Sequence, residues 1–306
     1  MDFSVSTIVP TFGRPQYLER AVRSVSRQSS KPAEIIVVDD NDPSSCERAQ
    51  TERLVEALKE ELAPTIPLRY LPLPANSGGA AARNRGAELA TGDLLAFLDD
   101  DDWWLPEKLE AQIALLRRKD RRPGLIYTGR RIVDAAGRTK RTRTPVHRGW
   151  IEQVLLRSNV IGTTSCALLP RAVFTAVGGF DAELPARQDL DLWVRIARRW
   201  EVDFVPGPLT VQTEHRSGRV SRRFESKARG LEMFLRKHRA AIAAVPGALA
   251  YNYFVIGRFY LKHGRPLKGR GYLARSLALR PSGPALLLLA RGVRKVNDET
   301  DSQDDR

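Results

Sequence analysis

Four short apolar runs punctuate the first hundred residues, at 5–9, 34–38, 68–71 and 93–98. Helical spacing fills the gaps: Leu18, Val22 and Val25 follow the first run, and Leu54, Leu58 and Leu62 follow the second. A turn at Asn76-Ser77-Gly78-Gly79 opens a third helical stretch, through Ala82 and Leu89, that stops at Thr91-Gly92. Near-continuous apolar strands alternating with helices predict a parallel sheet covered on both faces. Such a sheet binds ligands beyond the carboxyl ends of its strands. Two of the runs end in acid there, one in Asp39-Asp40 and one in Asp99-Asp100-Asp101-Asp102. The two clusters are expected to face one crevice.

Four adjacent carboxylates cannot all ionise cheaply without a cation or dispersed solvent. Hard divalent cations such as Mg²⁺ and Mn²⁺ prefer oxygen ligands, often one or two carboxylates plus substrate phosphates. The run therefore points to a metal-assisted site for a phosphate-bearing ligand. A solvated acidic turn is the bland alternative.

The 306 residues suffice for one large or two modest domains. A net charge of +14 and a pI near 10.2 favour anionic partners without naming one. Two cysteines, Cys46 and Cys166, argue against a disulfide framework and fit a reducing compartment. The N-terminus, Met1-Asp2-Phe3-Ser4, lacks the pattern of a secretion signal. The uncharged window 240–257 reaches the lower bound for a membrane span, but Pro246-Gly247 breaks it and Asn252 adds a polar group. Two short helices around a turn are expected there.

After the aspartates, 106–119 reads as a helix with Pro106 in its first turn. A hairpin is expected from 126 into the basic segment Arg138-Thr139-Lys140-Arg141-Thr142-Arg143, turning at Asp134-Ala135-Ala136-Gly137. A strand at 165–169, a short helix at 173–177 and a helix at 189–200 follow. Beyond about residue 220 the pattern is helical and basic, and the acidic tail 297–306 is expected to be disordered.

Several motifs occur in order: Thr7-Ile8-Val9-Pro10-Thr11-Phe12, Ile35-Ile36-Val37-Val38-Asp39-Asp40, and Asn76-Ser77-Gly78-Gly79 leading to Ala82-Arg83-Asn84-Arg85-Gly86. Phe97-Leu98 with the four aspartates, Gly178-Gly179-Phe180-Asp181 and Gln188-Asp189-Leu190-Asp191-Leu192-Trp193 complete the set. On these motifs the chain resembles the family 2 glycosyltransferases, inverting sugar transferases of the GT-A fold, over roughly residues 4–223. The resemblance implies an α/β fold: a Rossmann-like, mostly parallel sheet flanked by helices, with a C-terminal α-helical extension. It implies a transferase domain at 1–223, with a nucleotide half to about 102 and an acceptor half beyond. A basic helical region at 224–296 and the tail at 297–306 complete the division.

Site roles follow from the same resemblance. Pro10, Thr11 and Arg14 fall where the family holds the nucleotide, Asp40 where an acid meets the base or ribose, and Arg83 where a basic residue contacts the nucleotide. Asp99 and Asp101 match the Asp-x-Asp motif, Asp101 as the direct Mg²⁺ or Mn²⁺ ligand and Asp99 towards ribose or metal. Asp100 and Asp102 leave the register open by one residue. Asp189 matches the general base that deprotonates the acceptor hydroxyl, although an N-cap would also explain its position. Gln188 stands where the family usually has Glu. His215 lies in a late segment that touches metal or diphosphate, with Arg216 or Arg219 available to phosphate. Trp103 and Trp104 could form a sugar platform or pack in the core.

The implied partners are a nucleotide-diphosphate sugar, with a UDP-sugar as first expectation, and a glycan or lipid-linked acceptor. Residues 216–239 carry nine Lys/Arg against two Glu, most simply a solvated face and alternatively a surface for an anionic inner leaflet; the enzyme is expected to be cytoplasmic. Tyr253, Ile256, Gly257 and Tyr260, then Gly269, Leu273 and Pro281, resemble one tetratricopeptide-type hairpin. Nucleotidyl transfer is the alternative enzyme, though Thr11-Phe12-Gly13-Arg14 is a poor phosphate motif for it. Nucleic-acid binding rests on charge alone, without a recognition motif, and no specific nucleic acid is expected. Too few Cys and His are present for a zinc enzyme.

Overall fold

The computed structural model describes residues 3–118, 123–214 and 224–291. The chain opens as the apolar runs predict: β1 (Val5–Thr11), α1 (Pro15–Ser26), β2 (Glu34–Asp39), α2 (Cys46–Leu62), β3 (Leu68–Pro72), α3 (Gly79–Leu89) and β4 (Leu94–Phe97). Then come β5 (Trp103–Trp104), α4 (Lys108–Arg117), the hairpin β6 (Leu125–Val133) and β7 (Thr139–Arg143), and α5 (Glu152–Leu155). A 3-10 turn at Thr164–Cys166 leads into β8 (Ala167–Pro170), α6 (Arg171–Ala176), α7 (Gln188–Ala197) and β9 (Val202–Thr213). Five helices follow: α8 (Phe224–Lys237), α9 (Arg239–Ala244), α10 (Ala248–Lys262), α11 (Pro266–Leu279) and α12 (Gly283–Arg291).

Two compact units divide the chain. The first holds Met1–Ile151, Ile161–Ala182 and Leu192–Arg216; the second holds Glu152–Val160, Glu183–Asp191 and Ser217–Arg306. The boundary is therefore not a single cut. The expected disordered tail lies outside the described residues.

In the first unit one sheet runs in the order β3-β2-β1-β4-β8-β6-β9-β5, with β7 paired to β6. β3, β2, β1 and β4 are mutually parallel, and every residue of β1, β2 and β4 is buried, as strands covered on both faces require. Beyond β4 the sheet is mixed: β8 is antiparallel to β4 and β6, while β9 is parallel to β6. Gly86 lets α3 lie close on the sheet, since a Cβ there would stand 2.5 Å from Ile8 Cγ2.

β9 carried no sequence expectation, because Pro206-Gly207-Pro208 interrupts its pattern. A register shift between Thr128 and Arg130 of β6 absorbs that interruption. β9 then pairs antiparallel with β5, Trp103 opposite Val211 and Trp104 opposite Thr210. β5 thus lies four strand positions from β4, roughly 19 Å in a flat sheet. The link between them turns back on itself, since Asp102 N–H donates to Asp99 O at 3.0 Å. So short and folded a link can join those strands only if the sheet curls. The four aspartates are that link.

In the second unit Gly257 and Gly269 bring α10 and α11 into backbone contact, where a Cβ on Gly257 would meet Gly269 O at 2.9 Å. The uncharged window resolves into α9, a turn with Gly247 at φ 76°, and an α10 longer than expected because its pattern continues to Lys262. Asn252 donates to Leu156 O at 2.9 Å, so its polarity is satisfied inside the unit. Buried Asp191 is held by Lys237 and His238, each at 2.8 Å, a structural role. Among the described residues no helix is long and apolar enough to cross a membrane.

Candidate active site at the strand ends

β1 ends in Thr11, and its loop turns at Gly13, φ 67°, before Pro15 starts α1 at a position that needs no N–H. Pro10 sits past the last β1–β4 pair, Ile8 with Phe97, so its missing donor costs no ladder bond there. Asn41, from the end of β2, accepts Gly13 N–H at 2.6 Å and ties the two loops together. Arg14 projects from this loop onto the acidic link. Its Nη2 meets Asp100 Oδ1 and its Nη1 meets Asp101 Oδ2, both at 2.6 Å.

The four aspartates have four different surroundings. Asp99 is the most open, with 23% of its side chain exposed, and it pairs with Arg83 and accepts Thr164 Oγ1 at 3.2 Å. Asp100 is buried; it accepts Thr11 Oγ1 at 2.8 Å and shares Arg14. Burial pushes its carboxyl up to about 7, with Asp101 adding to the rise and Arg14 opposing it. Asp101 is buried under Arg14. Asp102 is fully buried, accepting Ser165 Oγ–H at 2.8 Å and Thr213 N–H at 3.1 Å, which makes it an anchor of the link. Asp99, Asp100 and Asp101 are thus the carboxylates turned to arginines, while Asp102 is held by Ser165 and Thr213.

Asp40 is 3% exposed, and both carboxylate oxygens are engaged: Ser77 N–H at 2.6 Å, Gly78 N–H at 2.8 Å and Asn76 Nδ2 at 3.1 Å. Burial raises its pKa while the two backbone N–H groups oppose the rise. Gly78 takes φ 85°, which favours glycine at this loop. Asp40 therefore shapes the entry to α3, and only its remaining lone pairs face outward chemistry. Asp39 is fully buried between Tyr70 Oη at 2.7 Å and Asn41 N–H at 2.9 Å.

Arg83, on α3, donates to Gly79 O at 2.9 Å, pairs with Asp99 and lies over the Phe180 ring at 5.7 Å. Next to it Asn84 exchanges two bonds with the Phe180 backbone, at 2.8 and 2.9 Å. A Cβ on Gly179 would meet Asn84 Oδ1 at 2.7 Å. Two of the sequence motifs are thus one structural contact that fixes Arg83.

The sugar-platform expectation for Trp104 is corrected. Its ring is 2% exposed, its Nε1–H donates to Ser165 O at 2.8 Å, and Lys108 Nζ covers the ring at 4.0 Å. Trp103 is half-buried, with the Arg20 guanidinium 3.9 Å from its ring centroid. Arg20 also donates to Asp101 O at 2.9 Å and Thr213 Oγ1 at 3.1 Å, so it stiffens the acidic link from α1. Burial lowers its pKa, and Asp102 and Asp101 raise it. Arg20 and Ser165 escaped sequence reasoning, because nothing in one sequence separates them from an ordinary helix arginine and loop serine.

In the second unit Asp189 accepts Asn159 Nδ2 at 2.9 Å and the N–H of Leu190 at 2.7 Å. Arg187, just before α7, holds φ 63°, the one positive φ outside glycine among the described residues. Gln188 donates to Leu184 O at 2.6 Å. His215, Arg216 and Arg219 lie outside the described residues.

Among the described residues no group of three or more His, Cys, Asp or Glu is arranged to hold a metal. The carboxylates of Asp99 and Asp101 are oxygen donors of the kind a hard divalent cation takes.

Residues 6–178 match the family model described as Glycosyl transferase family 2. An uncharacterized glycosyltransferase of Rickettsia conorii is 32% identical over 65% of this chain and 32% of its own length, so the match spans about a third of that relative. The amylovoran biosynthesis glycosyltransferase AmsB of Erwinia amylovora is 32% identical over 38% of this chain and 37% of its own. Among solved structures, S. aureus TarS 1–349 in complex with UDP-GlcNAc superposes with TM-score 0.66 at 17% identity, covering 90% of this chain and 81% of that one. The mannosyltransferase PcManGT of Pyrobaculum calidifontis, in complex with GDP-Man and Mn²⁺, gives 0.61 at 18%, covering 95% and 79%. The fold is that of the GT-A glycosyltransferases, and the chain belongs to glycosyl transferase family 2.

Proposed function

We propose that this chain transfers a sugar, with inversion, from a nucleotide-diphosphate sugar to an acceptor hydroxyl. The observation that carries the reading is the acidic link at the strand ends, bracketed by Arg14 and Arg83. Each guanidinium is held by a carboxylate that a diphosphate can replace, oxygen for oxygen. When phosphate oxygens take Arg14 and Arg83, the Asp101 and Asp99 carboxylates are released towards a cation. A divalent metal there, Mg²⁺ or Mn²⁺, would supply charge neutralisation for the departing diphosphate. Thr11 and the Gly13 turn shape the nucleotide side of the crevice, and Asp40 holds the loop at Asn76 to Gly78 against it.

Asp189 acts as the general base that takes the acceptor proton during a single displacement. Asn159 Nδ2 donates to its Oδ2 at 2.9 Å and orients the carboxylate. A UDP-sugar is the first donor to test, since a structural neighbour holds UDP-GlcNAc, with GDP donors next because another holds GDP-Man. The acceptor is a surface glycan or glycolipid, a reading supported by the likeness to AmsB. Action in the cytoplasm, with the basic helices against an anionic leaflet, completes the proposal.

Thermal stabilisation by a panel of nucleotide sugars, with Mn²⁺ or with chelator, identifies the donor. With that donor, Asp189→Asn should lose turnover about a thousandfold while still binding the nucleotide. Undiminished turnover in this variant removes Asp189 as the base.

A further inference from the structure

A basic cleft in the second unit has no part in the transfer chemistry above. It encloses ≈ 430 Å³, and Arg229, Arg236, Arg239 and Arg275 stand around it. Arg229 and Arg236 are seven residues apart on α8, which puts them on one face about 10 Å apart. Arg275 comes from α11. Among the described residues none of the four forms an ion pair with a carboxylate, whereas the neighbouring Lys237 is paired with Asp191.

The cleft contains one carboxylate, Glu232, and it is already engaged. Its Oε1 accepts Tyr260 Oη at 2.8 Å and Tyr272 Oη at 2.9 Å. Burial and Glu232 itself push the Tyr272 hydroxyl up to about 12 and raise Tyr260 too, so both stay donors and draw on the carboxylate's charge. Four guanidiniums against one hydrogen-bonded carboxylate leave the cleft strongly positive. Met233, Leu235 and Tyr253 supply an apolar side to the same space.

We propose that this cleft binds an anion carrying two phosphate groups. Guanidinium forks match phosphate oxygens, and four guanidiniums against one carboxylate leave a net charge of about +3, more than the roughly two negative charges of one phosphate balance. Mutual repulsion of the arginines then becomes binding energy for a ligand that spans them. The phosphates can come from a free diphosphate or from a lipid headgroup with two phosphates, and the recognising chemistry is the same.

The test uses the full chain in chelator, which removes the metal-dependent part of diphosphate binding at the strand ends, and what the cleft variants lose relative to wild type reports the cleft. Calorimetry with inorganic pyrophosphate is one arm. Co-sedimentation with phosphatidylcholine vesicles, with and without cardiolipin, is the other. The Arg229→Ala/Arg236→Ala variant should bind about tenfold or more weakly in the arm that reports the natural source, as loss of charge-assisted contacts requires. Glu232→Gln, which keeps a carbonyl for both tyrosines, should bind about threefold more tightly, since one like charge is gone. Arg53→Ala/Lys59→Ala on α2 removes the same net charge and should leave binding unchanged. Equal weakening by both double variants would reduce the cleft to a general basic surface and overturn the proposal. So would failure of the wild type to bind either probe.

Discussion

The acidic link of the first unit and the arginine cleft of the second solve opposite problems. At the strand ends, buried Asp100 and Asp101 and half-buried Asp99 meet arginines drawn from separate elements, Arg14 and Arg83. In the cleft, four arginines face a single carboxylate that two tyrosines already hold. The first region keeps its charges internally compensated, so removing one partner strands another in low dielectric. The second leaves its charge to solvent and ligand, so removing an arginine costs affinity and little stability. The contrast teaches that an excess of positive charge across a whole chain says little about any one site.

The largest expected effect separates the two regions by stability. Arg14→Ala leaves Asp100 and Asp101 buried without their cation and should destabilise the first unit by about 3 kcal/mol. Arg236→Ala should stay within about 0.5 kcal/mol of wild type, as exposed substitutions away from pairs usually do. Urea titration of both variants checks this, and similar losses would dissolve the contrast.

Packing supplies the next test. Gly86→Ala puts a Cβ against Ile8 and Val38 and should cost about 2 kcal/mol by overpacking between α3 and the sheet. It should also loosen Arg83, three residues away on the same helix, and weaken nucleotide binding. Gly271→Ala, whose Cβ meets nothing within 4 Å, should be neutral or slightly stabilising on α11. Denaturation midpoints for the pair decide it.

The smallest effect is a pH dependence. Asp100 has a folded pKa raised to about 7 against an ordinary value of 3.8. Between those values the folded chain binds the extra proton, so this group adds stability as pH falls through 7 and loses it as pH rises. The melting temperature of wild type relative to Asp100→Asn should therefore rise by a few degrees from pH 8 to pH 5. A flat difference would mean that Arg14 holds Asp100 ionised throughout.

Much of the fold was legible because burial on both faces writes itself as continuous apolar residues. β1, β2 and β4 stand where the runs end in Thr11, Asp39 and the aspartates, and the helices between them follow their Leu and Val spacing. β9 was not legible, since Pro206-Gly207-Pro208 looks like a loop until its pairing with β6 and β5 is known. The roles within the acidic run were likewise hidden. Four identical side chains carry no internal distinction; partners brought from distant parts of the chain, among them Arg14, Arg83, Ser165 and Thr213, make them differ. Trp104 shows the same limit: one sequence does not tell a ring exposed to sugar from a ring packed beneath Lys108.

The most direct test of the account measures UDP affinity for wild type and Asp101→Asn, each with Mn²⁺ and with chelator. Mn²⁺ should tighten wild-type binding, and Asp101→Asn should abolish this gain, leaving about the same affinity with and without metal. UDP binding that ignores Mn²⁺ in the wild type and is unchanged in Asp101→Asn would contradict it.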